Sequence, residues 1–186
     1  MYALAHSDQD DDLRVLLQAH LRTAPLATPE VLLAVDDSYP SVHATRYVAR
    51  TAAGLGACVH LLHVSEKATE SPSLLRHAWR VALPRRTPGL RILVDAAKTL
   101  AQAGVDHTAQ VAIGTVAETI ARIAQERGAL LVVMGVRDRH ALANLVTGSL
   151  GSRVARISPV PLLLVRHSTR ARLRLPARPS APYIGA

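Results

Sequence analysis

Val31-Leu-Leu-Ala-Val35, followed at once by Asp36-Asp37-Ser38, is the stretch on which the fold turns. A short apolar run that ends in a cluster of turn residues reads as a strand buried on both faces. After Pro40, Ser41 is placed to cap a helix whose apolar face is Val42, Ala49, Ala52 and Leu55, with Val48 beside it, ending at Gly54 or Gly56. Cys58 to Val64 then supplies a second strand. His60 and His63 lie three apart on it, so they point to opposite faces, cannot jointly hold a metal, and read as packing or surface residues.

The same alternation continues downstream. A short helix is expected over Leu74 to Leu83, closed by Pro84, and a second helix carries Leu90, Leu93, Val94, Ala97 and Leu100 on one face before stopping at Gly104. Val105 to Ile113 reads as a third strand. Thr115-Val-Ala-Glu118 has the capping-box pattern, and Val116, Ile120, Ile123 and Ala124 form the face of the helix behind it, which Gly128 ends. Ala129 to Met134 is a wholly apolar fourth strand running into Gly135. Gly148-Ser149 opens a last helix with Leu150, Val154 and Ile157 on one side, Pro159 stops it, and Val160 to Val165 is a fifth strand. Strands and helices alternate strictly, and the strands lack a polar face. The pattern predicts an α/β fold: a doubly wound, five-stranded parallel sheet with helices on both faces.

Composition narrows the function. The chain has 186 residues, 49% of them hydrophobic, enough for one buried core and incompatible with disorder throughout. Aromatic residues make up 3%, with no Phe and a single Trp, so the stacking platforms of single-stranded nucleic-acid binders cannot be assembled and nucleic-acid binding is not expected. A single cysteine, Cys58, excludes an intramolecular disulfide and a cysteine-based zinc site. No apolar run is long enough to suggest a membrane span, and the start of the sequence lacks a basic leader, so a cytoplasmic location is expected.

Charge is distributed unevenly. Residues 1–30 carry five acids and two bases, residues 31–165 nine acids and fifteen bases, and residues 166–186 five arginines and no acid. We divide the chain accordingly into an acidic extension over 1–29, a domain over 30–167 and a basic, proline-rich tail over 168–186. In the extension Asp12 can cap a short helix over Leu13 to Leu21, with Leu13, Leu16, Leu17 and His20 on one face.

In an open parallel sheet ligands bind beyond the carboxyl ends of the strands, where the strand order reverses. Asp36, Val64 and the Gly135 to Ser149 segment all fall there. Glycine turns and helix N-termini present unpaired N–H groups that suit phosphate. Neither the Walker A pattern nor the GxGxxG fingerprint is present, and no serine sits in a Gly-x-Ser-x-Gly elbow. Val31 to Ser38, Leu62-His63-Val64, Ile113-Gly114, Val132-Val-Met134-Gly135 and above all Gly148-Ser149 through Arg166 resemble the universal stress protein family, in order, over residues 30–167.

That resemblance implies an adenine nucleotide alpha-hydrolase-like, Rossmann-like fold. Its ATP-binding members carry Gly, two residues, Gly, nine residues, then Gly and Ser or Thr. Here the first glycine is Gly135, Asp138 stands where the second would be, and Gly148-Ser149 completes the pattern. The resemblance assigns Asp36 and Val64 to the adenosine end of a site, Gly135, Arg137, Gly148 and Ser149 to ribose and phosphates, and places Met134, Asp138 and Leu150 in the same site. Three functions follow as alternatives. The first is a dimeric stress-response protein that binds ATP, with Mg2+, at a site weakened by Asp138. The second is a dimeric interaction module without nucleotide. The third is an enzyme on the same architecture, such as an adenylating or nucleotide-hydrolysing protein, for which no base, nucleophile or metal cluster is visible, so at most slow ATP hydrolysis is expected. An apolar fifth strand at the edge invites pairing with a second copy, and the resemblance also implies a homodimer through Val160 to Val165, one that Leu163→Lys would disperse.

Overall fold

The computed structural model describes residues 2–5, 14–15, 17–19, 28–66, 73–76, 88–136 and 149–166. In chain order the strands and helices are β1 (Tyr2–Ala5), β2 (Glu30–Ala34), α1 (Tyr39–Ala52), β3 (Cys58–Ser65), β4 (Ser73–Arg76), α2 (Pro88–Gln102), β5 (His107–Ile113), α3 (Val116–Glu126), β6 (Leu131–Val136), α4 (Leu150–Ile157) and β7 (Leu162–Arg166). They form one sheet in the order β1-β7-β6-β2-β3-β5-β4. Its centre is the expected parallel, five-stranded unit, β7-β6-β2-β3-β5. The chain moves outward from β2 through β3 to β5, then returns to the other side of β2 for β6 and β7. The order therefore reverses between β2 and β6.

Each central strand is buried on both sides because its alternate residues feed two different cores. Val31, Leu33, Val59, Leu61, Val133 and Leu163 pack with α1 and α2, through Tyr47, Val48, Leu93 and Leu100. Leu32, Leu62, Val132, Met134 and Leu164 pack on the opposite face with α3 and α4, through Ile120, Ile123 and Val154. Fully burying a Leu or Ile side chain contributes about 1.5–3 kcal/mol. An apolar residue at every strand position is thus stabilising here, whereas a one-sided sheet would expose half of them.

Several local expectations are corrected. Ser38 rather than Ser41 caps α1: its side chain accepts the Ser41 N–H at 3.4 Å, and Pro40 sits within the first turn, where its missing N–H costs no helix bond. The helix starts at Tyr39, earlier than expected, and its buried face includes Tyr47 in place of Val42, which is 43% exposed. The capping box of α3 does not close. Thr115 makes no side-chain cap bond, and Glu118 instead lies 3.6 Å from Arg153 of α4. On α4, Val154 is buried but Leu150 and Ile157 are 37% and 40% exposed.

Both edges of the central sheet carry strands that local pattern did not foretell. The helix expected over Leu74 to Leu83 gives way at its start to β4, antiparallel to β5 with Leu75 opposite Ala109; residues 77–83 lie outside the described residues. An open row of β5 backbone groups offers hydrogen bonds that outweigh weak helix propensity. At the other edge β1 runs parallel to β7, so the fifth-strand edge expected to be open is occupied. In the acidic extension, residues 14–15 and 17–19 are helical, and Leu17 is wholly buried in the core that also contains Tyr47 and Leu163. Leu163 is 1% exposed, so Leu163→Lys would disrupt this core and cannot serve as a test of dimerisation. The basic tail lies outside the described residues.

Candidate functional site

At the carboxyl ends of the central strands, where β2 and β6 part, lies a cavity of about 170 Å³. Ala34, Val35 and Asp36 reach it from the end of β2, Leu62, His63 and Val64 from β3, and Met134 and Gly135 from β6. Ser41, Val116 and Leu150 reach it from the first turns of α1, α3 and α4. Three helix N-termini thus converge on one opening, each with a partial positive charge that favours an anion. Most of the wall is aliphatic, with Asp36, Ser41 and His63 as its polar side chains. An apolar slot beneath a ring of N-terminal dipoles can hold a flat ring while an attached anion lies at the rim.

The two strands are held in relation to the helix starts by a short polar network. The Asp36 N–H donates to Ser41 Oγ at 3.0 Å, and Asp36 Oδ1 accepts the Ser38 N–H at 2.9 Å. Asp36 is therefore a turn residue that bonds its own backbone, while its carboxylate remains exposed at the cavity mouth. His63 Nδ1 lies 2.9 Å from the Val35 carbonyl. A carbonyl only accepts, so Nδ1 carries the proton.

Of the residues singled out from the sequence, Asp36, Val64, Met134, Gly135 and Leu150 line this one cavity. Ser149 stands next to it as the N-cap of α4, its Oγ accepting the Ser152 N–H at 3.2 Å. Gly135 lies within β6 and does not adopt a left-handed turn conformation; it is small because the backbone at Pro40 passes directly over it. Arg137, Asp138 and Gly148 lie outside the described residues. Sequence reading missed Ser41, His63, Val116 and Ile120 as wall residues. The available signal was topological: strand ends and helix starts on the carboxyl side of one sheet must meet.

A larger cleft, of about 410 Å³, lies between α1 and α2 and shares Val35, Asp36 and Ser41 with the first. Arg46, Arg91, Asp37 and Asp95 stand around it, all exposed to solvent. Among the described residues there is no group of three or more His, Cys, Asp or Glu side chains placed to hold a metal ion. Buried polar chemistry elsewhere in the sheet is self-contained. His60 is 0% exposed, with Nδ1 2.6 Å from Thr108 Oγ1 and Nε2 3.2 Å from Gln110 Oε1. Desolvation first, then the nearby Arg127 guanidinium, lowers its pKa to about 4.

Residues 29–166 match the model of the universal stress protein family. The chain is 30% identical over 147 residues to the universal stress protein YxiE of Bacillus subtilis (strain 168), covering 74% of this chain and 98% of that protein. Its fold is similar to a universal stress protein solved in complex with cAMP, with a TM-score of 0.57 and 23% identity over 76% of this chain and 99% of that one. It is also similar to the Archaeoglobus fulgidus universal stress protein in complex with dAMP, with a TM-score of 0.54 and 18% identity, covering 75% of this chain and 98% of that one. No helix among the described residues is long and apolar enough to cross a membrane.

Proposed function

Since the chain belongs to the universal stress protein family, we propose that the cavity between β2 and β6 takes an adenine nucleotide, ATP with Mg2+, in a stress-response protein. The observation that carries this reading is the convergence of Asp36, Val64, Met134, Gly135 and Leu150 on one cavity beside three helix N-termini. Pockets that bury a whole drug-sized ligand run to roughly 300–1,000 Å³. A cavity of about 170 Å³ is instead the size for the base, with ribose and phosphates extending toward Ser149. Relatives solved with cAMP and dAMP support the ligand class. Mg2+ commonly bridges one carboxylate and phosphate oxygens without a protein cage. Asp138 would supply that carboxylate, while Arg137 and Gly148 would face the phosphates.

The nucleotide in this reading stabilises or switches the protein and is not rapidly turned over. A cytoplasmic homodimer contacting through Val160 to Val165, formed when β1 leaves that edge, completes the proposal. A second reading, an interaction module without nucleotide, draws on two observations: Asp36 spends one carboxylate oxygen on its own turn, and Asp138 replaces a glycine of the family pattern. Mass spectrometry of the protein as purified, with calorimetry of ATP in the presence and absence of Mg2+, separates the two. Bound adenine nucleotide, or magnesium-dependent heat of ATP binding, supports the first; neither signal at millimolar ATP leaves the second.

A further inference from the structure

β7 is the outermost strand of the family-matched segment on its side of the sheet, and β1 precedes that segment. YxiE, matched over 98% of its own length, covers only 74% of this chain, so β1 is an addition that this chain makes to the matched sheet. Leu162, Leu163, Leu164 and Val165 are each 2% exposed or less, their side chains packed in the two cores. What β7 still offers a partner is its outer row of backbone N–H and C=O groups. Tyr2 to Ala5 take that row in parallel register, Tyr2 opposite Leu162 and Ala5 opposite Val165. The same extension is anchored a second time at Leu17, wholly buried beside Tyr47.

We infer that β1 of this chain is a cap on the β7 edge, the edge through which the proposed homodimer would form, so that a second copy can pair there only once β1 is displaced. The partner is specified by geometry. Two copies related by a two-fold axis would set β7 against β7 antiparallel, satisfying both rows of backbone groups with one surface. β1 has four residues and pairs in parallel, the less stable mode per residue, so it is a cap that can be displaced while Leu17 keeps it tethered. Self-association then depends on release of β1. The inference rests on the edge contact of the proposed homodimer and is independent of the nucleotide.

The test is sedimentation velocity of the full chain at micromolar concentration, wild type against Ala3→Pro/Leu4→Pro, with circular dichroism to verify folding. Adjacent residues of a strand point their amides to opposite sides, so one of the two prolines removes a donor facing β7 whatever the phase. Wild type should sediment as a monomer and the variant as a dimer, its self-association tightened at least tenfold. Ala3→Gly/Leu4→Gly, which weakens the strand without distorting it, should shift in the same direction at higher concentration. A dimeric wild type would show that β1 does not close the edge, leaving the edge dimer itself intact. Monomers throughout would remove the edge dimer and the cap together.

Discussion

Gly135 of β6 lies so close to Pro40 of α1 that a Cβ on the glycine would stand 2.2 Å from the Pro40 carbonyl oxygen. The neighbouring Pro40 carbonyl carbon and Ser41 nitrogen would be 2.3 and 2.6 Å away, so the obstruction is backbone and no side chain can swing aside. Strand end and helix start are thereby held together at the floor of the cavity. Gly135→Ala should cost at least the 1–3 kcal/mol typical of overpacking, about that much or more, and lower the denaturation midpoint without any ligand present. An unchanged urea midpoint would show that Gly135 does not set this approach.

Asp36 separates turn formation from ligand contact. Asn keeps an oxygen for the Ser38 N–H, whereas Ala removes it. Asp36→Asn should hold wild-type stability within a few tenths of a kcal/mol, and Asp36→Ala should lose about 0.5–1.5 kcal/mol, the usual net value of one hydrogen bond. If the carboxylate contacts the nucleotide, both variants should bind it more weakly. Equal stability loss in the two would show that the turn depends on charge and not on the acceptor.

Asp138 is expected to oppose phosphate. Two unit charges 4 Å apart interact by about 1 kcal/mol in water and about 4 kcal/mol at an effective dielectric of 20, equivalent to roughly fivefold to 700-fold in affinity. ATP binding should therefore be weak and magnesium-dependent, and Asp138→Gly should bind more tightly. Submicromolar affinity without magnesium, or no gain from the glycine, would contradict this.

The buried His60 makes stability pH-dependent. Its folded pKa of about 4 lies below the ordinary 6.5, so the unfolded chain binds the proton more readily and stability falls as pH drops from 6.5 toward 4. The full difference corresponds to about 3 kcal/mol. His60→Asn should flatten the dependence of the urea midpoint on pH between 6.5 and 4. Parallel curves for the variant and wild type would exclude His60 as the source.

Arg127 should tune that same titration. Its guanidinium grips both carboxylate oxygens of Glu30, with Nη2 to Oε2 at 3.1 Å, and its charge helps hold His60 neutral. Arg127→Gln should raise the His60 pKa, read by the ring-proton NMR shift, and weaken the clasp between β2 and the end of α3. A His60 titration unmoved by the substitution would leave desolvation as the sole cause.

The sequence alone determined the central sheet, because five apolar runs separated by helix-period segments have one economical arrangement, and the side of the sheet carrying Asp36, Val64 and Gly135 follows from strand direction. Helix stops were legible where glycine is needed: Gly54 and Gly104 have φ of 74° and 70°, a region open to glycine at little cost. Only the tertiary structure decided what depends on distant partners. Ser73–Arg76 is a strand because β5 had an open edge, and Tyr2–Ala5 is a strand because β7 had one. Glu118 turned from its expected cap to Arg153, and Leu17 found a core built from residues far along the chain. Gly135 is held to glycine by close packing and not by a left-handed turn, since the backbone that forbids its side chain arrives from Pro40, nearly a hundred residues earlier. Local pattern records which groups must be buried or paired. Which distant group buries or pairs them is fixed only when the strands are laid side by side.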